Sequence, residues 1–247
     1  MDAVRPDIRK PVIFAWSGGK DSAYALYQLL KTEEYEVRYL LSTFNGNNKR
    51  LSMHGIREEL IEAQARSIGI PLIKMMVFEG SNEEYEKAML EVLQTAKAKG
   101  IEVVAFGDIF LEDLRLYREN QMRQIGMECL FPIWKRDTHE LADQFIREGF
   151  KTIICCISDE HLNESWCGRI LDEKFIHDLP VGIDPCGENG EFHSFCFDGP
   201  IYKNRIAIKM GETIYKTYDL NQNDSSEDGL IYKKNGFWFI DLSLDNP

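Results

Sequence analysis

Six consecutive residues, Ser17-Gly18-Gly19-Lys20-Asp21-Ser22, carry the plainest chemistry in this chain. An apolar run over residues 11–16 precedes them, and an apolar helical stretch over 23–30 follows. A glycine turn between a strand and a helix start is an anion cradle. The first-turn N–H groups lack acceptors, and the helix dipole favours negative charge there. The glycines let phosphate oxygens reach the backbone without a Cβ in the way. Lys20 adds a point charge, and Asp21 can hold a magnesium ion or orient a hydroxyl. The spacing is not that of the Walker loop, which puts four residues between its first glycine and a Gly-Lys pair. A solvated Gly-Ser turn is the plain alternative, and the order strand, loop, helix favours the cradle.

A second constellation runs from Asp184 to Phe195 (DPCGENGEFHSF). Gly187 and Gly190 permit a tight backbone turn, and Glu188 and Glu191 can meet magnesium, an amine or a hydroxyl. This reads as a substrate loop, with a glycine-rich hairpin of solvated acids as the alternative. His193 belongs to the same segment. His54, just ahead of a helix, is a candidate for contact with a nucleotide. His139, His161 and His177 lack metal-ligand spacing and read as structural.

These residues need a scaffold, and the surrounding pattern supplies one. Residues 12–16 read as a strand, 23–31 as a helix and 37–43 as a strand. Ile56, Leu60, Ile61, Ala65 and Ile68 recur at helical spacing until Gly69 and Pro71 stop the helix. Residues 72–78 form the next strand. Asn82 opens a helix with Tyr85, Met89, Val92, Leu93 and Ala96 on one face, and 103–106 is again strand. Such alternation predicts an α/β fold, a doubly wound parallel sheet with helices on both faces. Right-handed crossovers bring the strand C-terminal ends, and any ligand, to one edge. Ser42, Gly107 and Asp108 should lie on that edge facing Ser17, which makes them candidates for phosphate or magnesium contact. The alternative for Asp108 is an ordinary helix cap.

After Gly126 the pattern changes. Residues 127–134 read as a strand interrupted by Pro132, 138–148 as a helix, 151–157 as a buried strand and 170–178 as a helix. From Phe192 the reading is β, over 192–197, 207–209, 213–218, 230–232 and 237–240. Asn235-Gly236 is a hairpin-turn signal, and 222–229 reads as a polar, mobile loop. The expectation is an ATP-binding domain over 1–126 and a smaller α/β substrate domain over 127–247 ending in antiparallel strands.

Composition narrows the partners. The chain has 247 residues, 44% of them hydrophobic, and a net charge of −12. A surface of that sign repels nucleic acid, and the two densest basic stretches, 115–123 and 203–209, are both interrupted. No apolar run approaches the roughly 20 residues a membrane helix needs. The charged start with Pro6 reads as a short lead-in, not a signal peptide. Six cysteines without a Cys-x-x-Cys pair argue against a disulfide framework or zinc site and for a reducing cytoplasm.

Ser17 to Ser22, written SGGKDS, resembles the signature of the PP-loop ATP pyrophosphatases, a Rossmann-like superfamily. Together with Gly187-Glu188-Asn189-Gly190-Glu191-Phe192, the chain resembles the diphthine–ammonia ligase family and its N-type ATP pyrophosphatase relatives. Met53-His54-Gly55-Ile56, Gln64-Ala65, Gly69-Ile70-Pro71, Gly107-Asp108-Ile109, Arg115 with Glu119, Phe131 to Trp134, Asn163 to Trp166 and Gly168-Arg169 extend the likeness over residues 12–201. The chain departs from the family pattern at His193-Ser194, where Glu-Thr is usual, at Asn189, where Gly is usual, and at Cys167, where Leu is common.

The resemblance implies an ATP-dependent amide ligase that forms AMP and pyrophosphate. ATP would lie on Ser17, Gly18, Gly19, Lys20, Asp21 and Ser22, near Ser42, His54, Gly107 and Asp108, with Mg²⁺ on Asp21 and Asp108. Lys20, Asp21, Glu188 and Glu191 would be catalytic. Arg115, Glu119, Arg169, Gly187, Glu188, Gly190, Glu191 and His193 would meet the carboxylate substrate. Free ammonium is the nitrogen source to expect, since no glutaminase nucleophile is evident, and a homodimer is the assembly to expect. A tRNA-modifying PP-loop enzyme and a non-catalytic nucleotide sensor are the rival readings. The first would favour a basic face, and the second needs no glycine-acid loop.

Overall fold

The computed structural model describes residues 9–52, 54–78, 81–218 and 235–245. In its first sheet five strands run parallel, β1 (Lys10–Ala15), β2 (Tyr35–Asn45), β4 (Leu72–Val77), β5 (Val103–Ala105) and β6 (Glu128–Leu130). Their order is β4-β2-β1-β5-β6, and a two-residue strand β3 (Arg50–Leu51) pairs antiparallel with the end of β2. The order reverses at β1, so the crevice between the C-terminal ends of β1 and β5 is the switch point where such sheets take ligands.

Strand alternation divides the core between the two faces of this sheet. Val12 and Phe14 pack with helices α1 (Lys20–Leu30) and α2 (Glu58–Ile68). Ile13 packs on the other side with Leu93 of α3 (Asn82–Ala98) and Met122 of α4 (Glu112–Gln124). Gly69, at φ 86°, ends α2 in the left-handed conformation that glycine adopts without steric cost. The Ser81 hydroxyl caps α3 by accepting from the Glu84 amide.

Helix α5 (Thr138–Arg147) leads into a second sheet, antiparallel, with the order β8-β7-β10-β9. Its strands are β7 (Lys151–Ser158), β8 (Phe192–Asp198), β9 (Ile208–Tyr218) and β10 (Asn235–Leu244), and a short helix α6 (Glu173–Asp178) precedes β8. Ile153, Ile157, Phe195 and Phe197 join the same apolar core as Val12 and Phe14, so the second sheet stands against the α1–α2 side of the first.

Several expectations are corrected. Residues 127–134 hold only the three-residue strand β6, followed by turns through Pro132, which has no N–H to donate to a ladder. The helix expected over 170–178 covers 173–178, capped by the Asp172 side chain. The two strands expected over 207–209 and 213–218 are one continuous β9. Asn235-Gly236 is not a hairpin turn, because it lies in β10 opposite Tyr218 and Thr217. Glycine is required there for close approach, since a Cβ would collide with the Tyr215 hydroxyl and the Asp159 carboxylate. The readings over 222–229 and 230–232 lie outside the described residues.

Candidate active site

A cleft of about 550 Å³ opens at the switch point. Ser17, Gly19, Lys20, Asp21 and Ser22 line one side, and Gly107 and Asp108 come in from the end of β5. Gly19 is the extended N-cap of α1 with no side chain capping it, so the helix N-terminus opens onto this space. Gly18 sits at φ 72° with its backbone pressed on Gln64. Gly107 lets the β5–α4 turn close on α1, since a Cβ there would lie 3.0 Å from both N and Cα of Ser22.

The opposite wall comes from residues 186–194, including Gly187, Glu188, Gly190 and His193. The Asp184–Glu191 loop is held by its own acids. Glu191, 1% exposed, accepts from the Asp184 amide at 3.0 Å, the Asn189 amide at 2.8 Å and the Asn189 side chain at 3.0 Å. Asp184 in turn accepts from the Cys186 amide and the Thr138 hydroxyl. The two halves of the cleft are bonded directly, with the Lys20 amide donating to Ser194 Oγ at 3.2 Å and the Cys196 amide to the Gly18 carbonyl at 2.8 Å.

Burial and charge set the protonation states. The Lys20 side chain is 2% exposed and its ammonium pairs with Asp21, whose side chain remains 28% exposed to the cleft. Burial pulls Lys20 down, but the Asp21 carboxylate beside it outweighs that and holds the lysine charged. Burial, with Asp21 and Asp184 nearby, pushes Glu188 up to about 8 despite Lys20. His54 and His193 stack with ring centroids 4.5 Å apart. Burial, followed by the charge of Lys20, pushes His193 down to about 4. Burial and the neighbouring His193 hold His54 well below its ordinary range. Both imidazoles are therefore neutral at pH 7.

Ser17, Gly19, Lys20, Asp21, Ser22, His54, Gly107, Asp108, Gly187, Glu188, Gly190 and His193 thus converge on one cleft. The other expected residues stand elsewhere. Ser42 lies beneath the loop and donates to the Trp16 carbonyl at 2.6 Å, while its neighbour Thr43 lines the cleft. Arg115 pairs with Glu119 at 2.7 Å and stacks on Trp134. Arg169 pairs with Asp178 and stacks on Trp166. Glu191 is consumed by its own loop.

Sequence reasoning missed Arg118, which lines the cleft, lies over the Phe106 ring at 4.2 Å and grips Asp108, Nε to Oδ2 at 2.6 Å and Nη2 to Oδ1 at 3.2 Å. Helical spacing carried the signal, because Leu111, Leu114 and Arg118 share the face turned to the cleft and Arg115 does not. Arg50 and Arg57 were also missed. Both bind Asp241 of β10, at 2.9 and 2.6 Å, and so brace the segment that carries His54. Asp241 sits at a register shift of β10, where a bulge re-aims the side chain.

Two family models match this chain. One, described as the diphthamide synthase N-terminal domain, matches residues 10–129. The other, described as the diphthamide synthase C-terminal domain, matches residues 137–223. A diphthine–ammonia ligase of Danio rerio is 26% identical over 235 residues, covering 82% of this chain and 88% of that protein. The Homo sapiens diphthine–ammonia ligase is 24% identical over 231 residues, covering 82% and 84%. In Saccharomyces cerevisiae the identity is 23% over 289 residues, covering 94% of this chain but 42% of the longer yeast protein. With one family's two halves matched in order along most of its length, the chain belongs to the diphthamide synthase family.

Proposed function

We propose that this protein joins ammonia to a carboxylate at the expense of ATP, releasing AMP and pyrophosphate. The observation that carries the reading is the facing of the SGGKDS loop and the Gly187–His193 segment across one cleft. The relatives' shared name, diphthine–ammonia ligase, supports the same chemistry. Residues 1–126 would hold the nucleotide and 127–247 would build the acyl side.

ATP binds with its β- and γ-phosphates against Gly19, Ser22 and the first-turn amides of α1, with the Lys20 ammonium beside them. A carboxylate oxygen of the substrate attacks the α-phosphorus, the bond to the bridging oxygen breaks, and pyrophosphate leaves. Lys20 and the amides stabilise the charge that grows on it. Ammonia then attacks the acyl carbon of the adenylate. The C–N bond forms, the C–O bond to phosphorus breaks, AMP departs with the electron pair, and the proton released from nitrogen passes to ionised Glu188. Neutral His54 and His193 offer hydrogen bonds on the acyl side without adding charge. Glu191 acts by shaping the loop that presents Glu188.

Magnesium fits Asp21, whose side chain is exposed to the cleft, since the ion favours one or two carboxylates plus phosphate oxygens; Asp108 would join it only by giving up its contacts with Arg118. Bound there, it would neutralise phosphate charge.

Among the described residues no helix is long and apolar enough to cross a membrane. Six free thiols favour a cytoplasmic setting. Incubation with ATP, ammonium and a panel of carboxylates, diphthine among them, tests the reaction. AMP and pyrophosphate in equal amounts are expected, and ADP with phosphate would overturn the mechanism.

A further inference from the structure

The Gln64 side chain is completely buried, yet it sits on α2, away from the cleft, and the mechanism above makes no use of it. Besides a long contact from Nε2 to the Tyr202 hydroxyl at 3.4 Å, three polar contacts leave no ambiguity about which way the amide faces. Trp16 Nε1, which can only donate, lies 2.9 Å from Oε1. Nε2 donates to the Gly18 carbonyl at 2.9 Å and to the Cys196 carbonyl at 2.6 Å, neither of which can do anything but accept. The Gly18 carbonyl also accepts from the Cys196 amide at 2.8 Å. Two donors therefore hold one carbonyl of the loop away from the cleft.

In a planar trans peptide the carbonyl and the following N–H point in opposite directions. Fixing the Gly18 oxygen backward turns the Gly19 N–H forward. That N–H has only a long contact, 3.4 Å, to the Ser17 hydroxyl, so it is loosely held and free to exchange for an oxyanion. The glycine follows from the same arrangement, because a Cβ at Gly18 would lie 2.5 Å from Gln64 Oε1. We propose that Gln64 is a positioning residue for the phosphate site, setting the Gly18–Gly19 peptide so that its amide faces the departing pyrophosphate, and tying that peptide to β8 through the Cys196 carbonyl.

This inference rests on the reading of residues 17–22 as the phosphate loop, and the test separates the two. Pyrophosphate binding to the full chain is measured by calorimetry, and ATP–pyrophosphate exchange by kinetics, for the parent, Gln64→Glu and Gln64→Met. Gln64→Glu keeps the acceptor for Trp16 but loses the donors to the two carbonyls. Gln64→Met fills the space with neither. The Cys196 amide still holds the loop in both, so thermal unfolding should remain cooperative.

Pyrophosphate affinity and KM for ATP are expected to worsen at least tenfold in each variant, with a larger loss for Gln64→Glu, whose carboxylate faces two carbonyl oxygens. Should Gln64→Glu fail to fold, Gln64→Met alone decides the matter, and Trp16→Phe, which frees the amide to rotate, should give a smaller loss in the same direction. A folded Gln64→Met that binds pyrophosphate as tightly as the parent overturns the inference. A parent that binds no pyrophosphate overturns the phosphate-loop reading on which it stands.

Discussion

The two walls of the cleft, the proposed phosphate side around residues 17–22 and the proposed acyl side around residues 186–194, are built on different principles. On the phosphate side the working groups would be main-chain amides and one buried lysine, and the protein's effort goes into fixing their direction. Gly18 is pinned by two donors, Gly107 is pressed against Ser22, and Lys20 is buried against Asp21. On the acyl side the working groups are side chains whose protonation is displaced by burial, with Glu188 pushed up to about 8 and His193 down to about 4. A phosphate site has one ligand and can be rigid. A site that accepts a proton from nitrogen needs a group whose charge changes near working pH. The two sides should therefore respond differently to substitution.

Lys20→Ala breaks the phosphate side most severely. Removing one charge-stabilising donor costs about 10²–10³ in rate, and the loss should appear fully in ATP–pyrophosphate exchange, before ammonia takes part. A Lys20→Ala enzyme with parental exchange would erase the distinction between the two sides.

Glu188→Gln tests the other side. Amide formation should fall by at least ~10², the low end for loss of a general base, while pyrophosphate exchange stays within a few-fold of the parent. The pH profile sharpens this. Glu188 lies above its ordinary range, so it is largely protonated at pH 7, and its basic form grows as pH rises through about 8. With free ammonia held constant, the amidation rate of the parent should climb through that pH, and the climb should vanish in Glu188→Gln. Loss of exchange in parallel with amidation would place Glu188 on the phosphate side instead.

The same contrast explains how much the sequence disclosed. The candidate phosphate loop stands out because its chemistry is local, with six adjacent residues between a strand and a helix carrying the signal. The parallel sheet was legible from the alternation of strand and helix. The partners that orient the loop were not, because Gln64 and Ser194 lie 46 and 174 residues from the groups they bond. Glu191 looked as reactive as Glu188, and only the folded loop shows that one carboxylate is spent on three donors while the other faces the cleft. Arg115 was preferred to Arg118 because a resemblance marks positions without saying which face of α4 turns inward. Asn235-Gly236 carried a turn signal whose glycine serves close packing in a ladder.

The smallest expected effect belongs to the strut between the two sheets. Asp241 accepts from Arg50 and Arg57, holding the His54 segment against β10. Its side chain is 30% exposed, so the contribution is screened and about 1 kcal/mol is a fair expectation. Asp241→Asn should lower Tm by about 2–4 °C, the shift that 1 kcal/mol gives in a chain of this size. Hydrogen bonds from Arg57 hold the Asp241 carboxyl below its ordinary range, opposed by burial. A lowered acid stabilises the fold above its unfolded value, and that stability is lost as pH falls. The Tm difference between parent and variant should therefore be full at pH 7 and shrink below about pH 4, near the ordinary aspartate value. Because the strut touches neither the phosphate loop nor Glu188, exchange and amidation should both stay within about two-fold, as expected for sites that share no partner. A selective loss of amidation in Asp241→Asn would show instead that His54 must be held in register with His193 for ammonia to attack.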